Sequence, residues 1–379
     1  MNDDKRGTPD RETVAPENRN TPTAAAPTAA AEAGQIDISF SSGLAEFLAA
    51  QDIAIGFTSY QTGRLYLIGH GPNSKLALHE AVYPQAMGVA GDASRVYLGT
   101  LTQIVRMENV LGPGQTANQV HDRVYVPRNL QTTGNVDIHE LGIRANGRIV
   151  FVNTRHNCLC EPSLTHSFKP VWKPAFISEI VAEDRCHLNG LAMVDGQPKY
   201  VSAISRSNVA NGWRNHRQDG GVIIDVENNA IIAEGLSMPH SPRFHDGRVW
   251  ILNSGTGELG WVDSGGGDFV PLAFFPGFLR GLAFHNDHAF VTLSKPRQGH
   301  FEGLALDDRL KEKEKESEAW CGIQIAALSN GEPAHWLRFD GAITELFDIC
   351  VLPGVKNPIT LGPNSVEIRD FLTIETPDW

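Results

Sequence analysis

The sequence contains no run of about 18 apolar residues, so no helix in it is expected to cross a membrane. It opens MNDDKRGTPDRE, acidic and without an apolar stretch behind it, so no secretory signal is expected and a cytoplasmic location is. Positive charge is scarce: 32 Lys and Arg against 44 Asp and Glu leave a net charge of -12, and no basic stripe stands out. That argues against a nucleic-acid partner. Cysteine is sparse and odd in number (Cys158, Cys160, Cys186, Cys321 and Cys350), so a disulfide framework is not expected. No Gly-rich turn sits between a strand and a helix, so no nucleotide cofactor is expected. The G-x-S-x-G elbow is missing too, which excludes serine chemistry of the α/β-hydrolase type. Large apolar side chains are nearly missing from residues 1–35, which are rich in Ala, Pro and Thr. Such a segment cannot offset its ordering entropy and is expected to be a disordered tail, leaving one domain over 36–379.

Glycine (37) and proline (22) are plentiful, a composition that favours strands and turns over helices. One pattern recurs: TGRLYLIG (62–69), ASRVYLGT (93–100), NGRIVFVN (146–153), DGQPKYVS (195–202), DGRVWILN (246–253) and NDHAFVTL (286–293). The steps between them are 31, 53, 49, 51 and 40 residues. Most have a second apolar segment just upstream, and an apolar segment, a Gly/Asn/Asp turn and a β-rich segment make a hairpin. Hairpins recurring at this period read as propeller blades, with segments such as GGVIIDV and AIIAEGL as the outer strands. The expected fold is therefore all-β: a six-bladed β-propeller, with seven blades as the alternative. The first three strands (about 53–58, 64–70 and 75–82) lack an inner partner, and ITELFDICVLP (343–353) is expected to supply it and close the ring. Residues 40–50 read as a short helix packed outside it.

Aligned by blade, the starts of the inner strands carry Asp137, His139 and Glu140; then His187 and Asn189; then His240 and Arg243; then Arg280; then Asp348. Three imidazoles on a rigid ring suit a divalent transition metal (Zn, Fe, Mn, Ni or Cu), so His139, His187 and His240 are the expected ligands. Glu140 and Asp137 are candidate general bases, and Cys158 is a candidate nucleophile if a base such as His156 or His187 reaches it. The loop NTRHNCLCEPS (153–163) offers Arg155, and SRSNVANGWRNHRQDGG (205–221) offers Trp213 and Arg214. Arginine forks beside an aromatic suit a carboxylate, phosphate or sulfate, so Arg155, Asn189, Trp213, Arg214, Arg243, Arg280 and Asp348 are the expected substrate contacts. The loop 294–320 reads as a lid or a partner contact, and its KEKEKESE run as a solvated helical face.

The strings GNVDIHELG, FVNTRHNCLC, EDRCHLNGLA, GLSMPHSPR, PGFLRGLAF and ELFDICVLPG together resemble an uncharacterised bacterial family with a domain of unknown function. Some of its members are joined to tetratricopeptide repeats, which this chain does not show. The likeness spans about residues 40–360 and implies a shared propeller domain; it implies no activity. At Arg155-His156-Asn157 the chain departs from the aromatic and small residue expected after the Arg, leaving Cys158 as the matching position. More distantly, a six-bladed ring with a metal-capable mouth is similar to lactonase-like propellers, although those ring their metal with carboxylates and asparagines. The function expected is a metal-dependent enzyme on a small anionic or peptide-like substrate. The alternatives are a propeller that binds a glycan, small molecule or peptide without chemistry, and a scaffold for a protein partner.

Overall fold

The computed structural model describes residues 36–72, 75–312 and 318–375. The expected disordered tail (1–35) and most of the KEKEKESE run lie outside those residues.

The strands form six sheets, each with four blade strands, and these are the six blades of a β-propeller rather than seven. From the channel outwards, blade one is Ile349–Pro353, Ile53–Ser59, Arg64–His70 and Leu76–Val82. Blade two is Val89–Gly91, Arg95–Gly99, Gln103–Asn109 and Arg123–Thr132. Blade three is Ile138–Ile143, Ile149–Asn153, Cys158–Glu161 and Lys169–Trp172. Blade four is Leu188–Val194, Gln197–Ala203, Gly221–Asp225 and Ala230–Leu236. Blade five is Pro239–His245, Arg248–Asn253, Glu258–Asp263 and Val270–Phe274. Blade six is Phe278–His285, His288–Ser294, Cys321–Ala327 and Pro333–Gly341.

The recurring turns are what make the pattern legible. Asp195-Gly196 and Asp246-Gly247 each place two consecutive residues at positive φ (49° and 68°, 48° and 76°), the backbone of a two-residue type I′ hairpin. They join Val194 to Gln197 and His245 to Arg248 in register.

Closure is as expected: Ile349–Pro353 pairs with Ile53–Ser59, Val351 opposite Ile55. The regular inner strand is shorter than the expected 343–353, although the Phe347 amide already donates to Thr58 O at 2.7 Å and Asp348 O accepts from the Thr58 amide at 3.1 Å. Two further links were not foreseen. Ile36–Phe40 adds a fifth strand outside Pro333–Gly341, and Pro358–Thr360 runs parallel to Arg123–Thr132 at the rim of blade two. The expected helix is Leu44–Gln51; its Leu44 and Leu48 are buried with Phe57, Phe290 and Leu337 between blades six and one.

The core consists of interfaces between neighbouring blades, each a separate apolar cluster: Leu67 with Val96, Tyr97 with Phe151, Val152 with Leu188, Tyr200 with Val249, and Leu252 with Val291. Near the axis the inner strands approach so closely that a side chain has no room. A Cβ on Gly190 would stand 2.3 Å from Pro242 Cδ, and one on Gly281 would stand 2.8 Å from Asp348 Cα. The glycines keep the channel narrow and press polar residues of different blades against one another.

Candidate functional site

In an antiparallel blade the start of the inner strand and the end of the second strand lie at the same end of the sheet. The turns into the inner strands and the loops joining second to third strands therefore share one face. Contacts at that mouth bear this out: Tyr60, in such a loop of blade one, donates to Glu345 Oε2 and lies beneath the Arg280 guanidinium, 5.3 Å from the ring centre.

Two of the three histidines, His139 and His187, meet there. The rings of His139 and His187 stand 4.9 Å apart, edge to face. His139 also meets Phe347 at 5.2 Å, and His240 meets Phe278 at 5.3 Å. Each imidazole has its Nδ1 occupied. His139 Nδ1 lies 3.1 Å from Asp137 O and His240 Nδ1 lies 2.9 Å from Met238 O. A carbonyl only accepts, so Nδ1 carries the hydrogen and Nε2 keeps the lone pair. Thr154 and Ser254 hydroxyls back the same two nitrogens. Burial lowers the pKa of His139 to about 4 and holds that of His240 well below the usual value, so both are neutral. His240 Nε2 is buried and has no partner.

His187 differs. Its Nδ1 faces a carboxylate, with both oxygens of Asp184 at 3.0 Å. Asp184 Oδ2 also accepts from Trp213 Nε1 at 2.8 Å, and the indole stacks on the imidazole with centres 4.3 Å apart. Asp184 and His187 both have positive φ (46° and 51°), an expensive backbone for a histidine that the surrounding turn must hold in place. This is an Asp–His dyad: the carboxylate fixes tautomer and ring orientation and leaves Nε2 for chemistry.

The arginines form the adjoining wall. Arg280 is ringed by Phe278, Tyr60 and Phe347 at 5.0, 5.3 and 5.4 Å, and its Nε is buried without a partner. Arg214 covers the Trp213 ring at 4.5 Å. Both line a cavity of about 470 Å³ between the loops 204–220 and 295–312. Phe301, Leu304 and Leu306 of the second loop pack on Phe278, so that loop has a small core of its own.

Other expected residues are placed elsewhere or already engaged. Glu140 and Arg243 hold each other at 2.7 Å inside the channel. Asp348 accepts from the Val89 and Ile349 amides, both at 2.8 Å, with Arg243 at 3.6 Å. Burial and nearby Glu140 raise the Asp348 pKa well above the usual value. These three tie the blades together at the axis. Asn189 donates to Pro239 O at 2.9 Å, joining blades four and five. Asp137 caps His139 through its carbonyl, and Arg155 is exposed on the blade-three loop. Cys158 is corrected. It is fully buried in the third strand of blade three, 3.4 Å from Cys160 Sγ, because the loop ends at Asn157 and not at residue 163. A thiol packed in a sheet core has no access to substrate.

Asp184, Tyr60 and Arg297 were not singled out in the sequence. Asp184 carried a signal, a carboxylate three residues before a histidine in one turn. Tyr60 and Arg297 carried none, since Arg297 reaches Glu345 at 2.9 Å from a different loop and Tyr60 joins them from another blade.

The donor chemistry suits a divalent metal, with neutral imidazoles held through Nδ1 and presenting Nε2. The positions do not: among the described residues no three His, Cys, Asp or Glu donors gather to hold an ion. Among the described residues no helix is long and apolar enough to cross a membrane.

A sequence profile described as "Domain of unknown function (DUF4915)" matches residues 42–361. No curated protein sequence matches the chain. Among solved structures, a chain of a nidogen/laminin complex is similar at TM-score 0.50 and 11% identity, covering 80% of this chain and 99% of that one. An inactive variant of virginiamycin B lyase from Staphylococcus aureus, solved with quinupristin, is similar at 0.38 and 10%, covering 81% and 99%. A luciferin-regenerating enzyme is similar at 0.38 and 13%, covering 81% and 94%. At these identities the likeness concerns the propeller fold alone.

Proposed function

We propose, for a chain that belongs to the DUF4915 domain family, that the mouth of its propeller is the active site of an acid–base enzyme acting on a small anionic substrate. The carrying observation is the dyad: Asp184 grips His187 Nδ1 with both oxygens at 3.0 Å while Trp213 fixes the carboxylate. His187 Nε2 then takes a proton from substrate or water, and the imidazolium formed is stabilised by Asp184 before it returns the proton to the leaving group. His139 and His240, kept neutral by burial, line the reacting centre with acceptors that do not compete for the proton. Arg280 and Arg214, planar cations on aromatic faces, orient the anion.

The test is turnover of a panel of small carboxylate and phosphate esters, lactones and peptides by wild type and His187→Ala. A loss of about 100-fold or more in the variant is expected. Turnover that survives His187→Ala unchanged removes the proposal, as does binding without turnover, which leaves a recognition module.

A second reading keeps the expected metal on His139, His187 and His240, favoured by the buried, unpartnered Nε2 of His240. It requires the three donors to draw together. Stoichiometric zinc, iron, manganese, nickel or copper in untagged protein, lost in His240→Ala, supports it; its absence after incubation with each ion rejects it.

A further inference from the structure

We infer that the cavity beside the dyad is a subsite for a phosphate-type dianion, so that the substrate of the proposed reaction is a phosphomonoester-bearing molecule. The inference rests on that reading for the reaction but not for the binding.

The local charge opposes that of the whole chain. The protein carries -12, yet Arg214, Arg217, Arg280, Lys295 and Arg297 all line this one cavity. Two carboxylates line it with them, Glu302 and Glu345. Lys295 is matched by Asp340 behind it, at 3.1 Å. Glu345 divides its single charge between Arg297 at 2.9 Å and Arg280 at 3.6 Å. Arg214 and Arg217 have no carboxylate within ion-pair distance among the described residues, and Arg217 instead donates to the Glu302 carbonyl at 3.3 Å. Asp340 is also held by Arg338 at 2.9 Å and so offsets Lys295 only in part, which leaves the cations that line the cavity in excess of their carboxylates by at least two charges.

A monocarboxylate leaves one of those charges unmatched, while a phosphate monoester near neutral pH carries about two. Its three oxygens accept from several forked guanidiniums at once, which a carboxylate does less well. Trp213 belongs to both places, as the face under Arg214 and as the Asp184 partner, so an anion held here lies next to His187.

The experiment titrates the full-length protein with inorganic phosphate at about pH 8, where the dianion dominates, and with acetate at matched ionic strength. It reads heat and the fluorescence difference between wild type and Trp213→Phe. Phosphate is expected to bind at least about tenfold more tightly than acetate. Arg214→Gln with Arg217→Gln should weaken phosphate by about tenfold or more at an unchanged melting temperature, and His187→Ala should leave it within about twofold. Equal affinity for the two anions, or phosphate binding indifferent to both arginines, overturns the inference. If the double variant does not fold, the single exposed substitution Arg214→Gln gives the same reading. Loss of turnover in His187→Ala with no phosphate preference removes this subsite alone. Phosphate binding without His187-dependent turnover removes the reaction alone.

Discussion

Asp184 meets His187 with both carboxylate oxygens 3.0 Å from the same ring nitrogen, three residues away along the chain and inside one strained turn. The pair is local in sequence, yet its third member, Trp213, comes from a loop 29 residues on. Replacing Asp184 by Asn keeps the shape and removes the fixed acceptor. The His187 tautomer should then become mixed in ¹⁵N spectra, and turnover should fall about 100-fold or more. A single unchanged tautomer in Asp184→Asn rejects the positioning role.

Stability should fall in mild acid. His139 is buried and neutral with a pKa of about 4, against about 6.5 in the unfolded chain. Between those values the unfolded chain takes up a proton that the folded chain refuses, so stability drops as pH falls from about 6.5 to about 4. His139 accounts for up to about 3 kcal/mol of that loss, and His240 acts in the same direction. Urea midpoints across this range should decline, and His139→Phe should flatten the decline. Identical slopes in both proteins contradict the assignment.

Arg243 lies between Glu140 and Asp348 at the axis. Arg243→Met leaves two buried carboxylates uncompensated and should cost roughly 3–5 kcal/mol in denaturant unfolding. Adding Glu140→Gln and Asp348→Asn should recover much of the loss. A triple variant no more stable than Arg243→Met shows that packing, not charge, is what the arginine supplies.

Gly190→Ala should destabilise by about 1–3 kcal/mol, because the new methyl has to displace the Pro242 ring 2.3 Å away. Thermal melts measure it. An unchanged melting temperature means that blades four and five separate more easily than their contact implies.

The residues that sequence reading found share a property. The hairpins advertise themselves through alternating strands and Asp-Gly turns, and aligning the repeats puts His139, His187 and His240 at one mouth. Residues that function through partners in other blades gave no such sign. Tyr60 reaches Glu345 across 285 residues, and Arg297 becomes a wall of the cavity only when loops of different blades meet. Glu140 and Arg243 looked like catalytic and anion-binding groups because nothing in their spacing of 103 residues reveals that they neutralise each other. Cys158 was misplaced by a strand boundary: the turn after Asn153 is short, so the cysteine falls into the sheet.

Blade one cannot be finished until Val351 is available to pair with Ile55. At a ribosomal rate of about 5–20 residues per second, the nascent chain waits roughly 15–60 s between making the two partners. During that interval the inner edge of Ile53–Ser59 stands open beside five blades that can already stack. The last blade strand to emerge is therefore the latch of the whole ring, and a nascent chain stalled short of Ile349 is a natural client for chaperones.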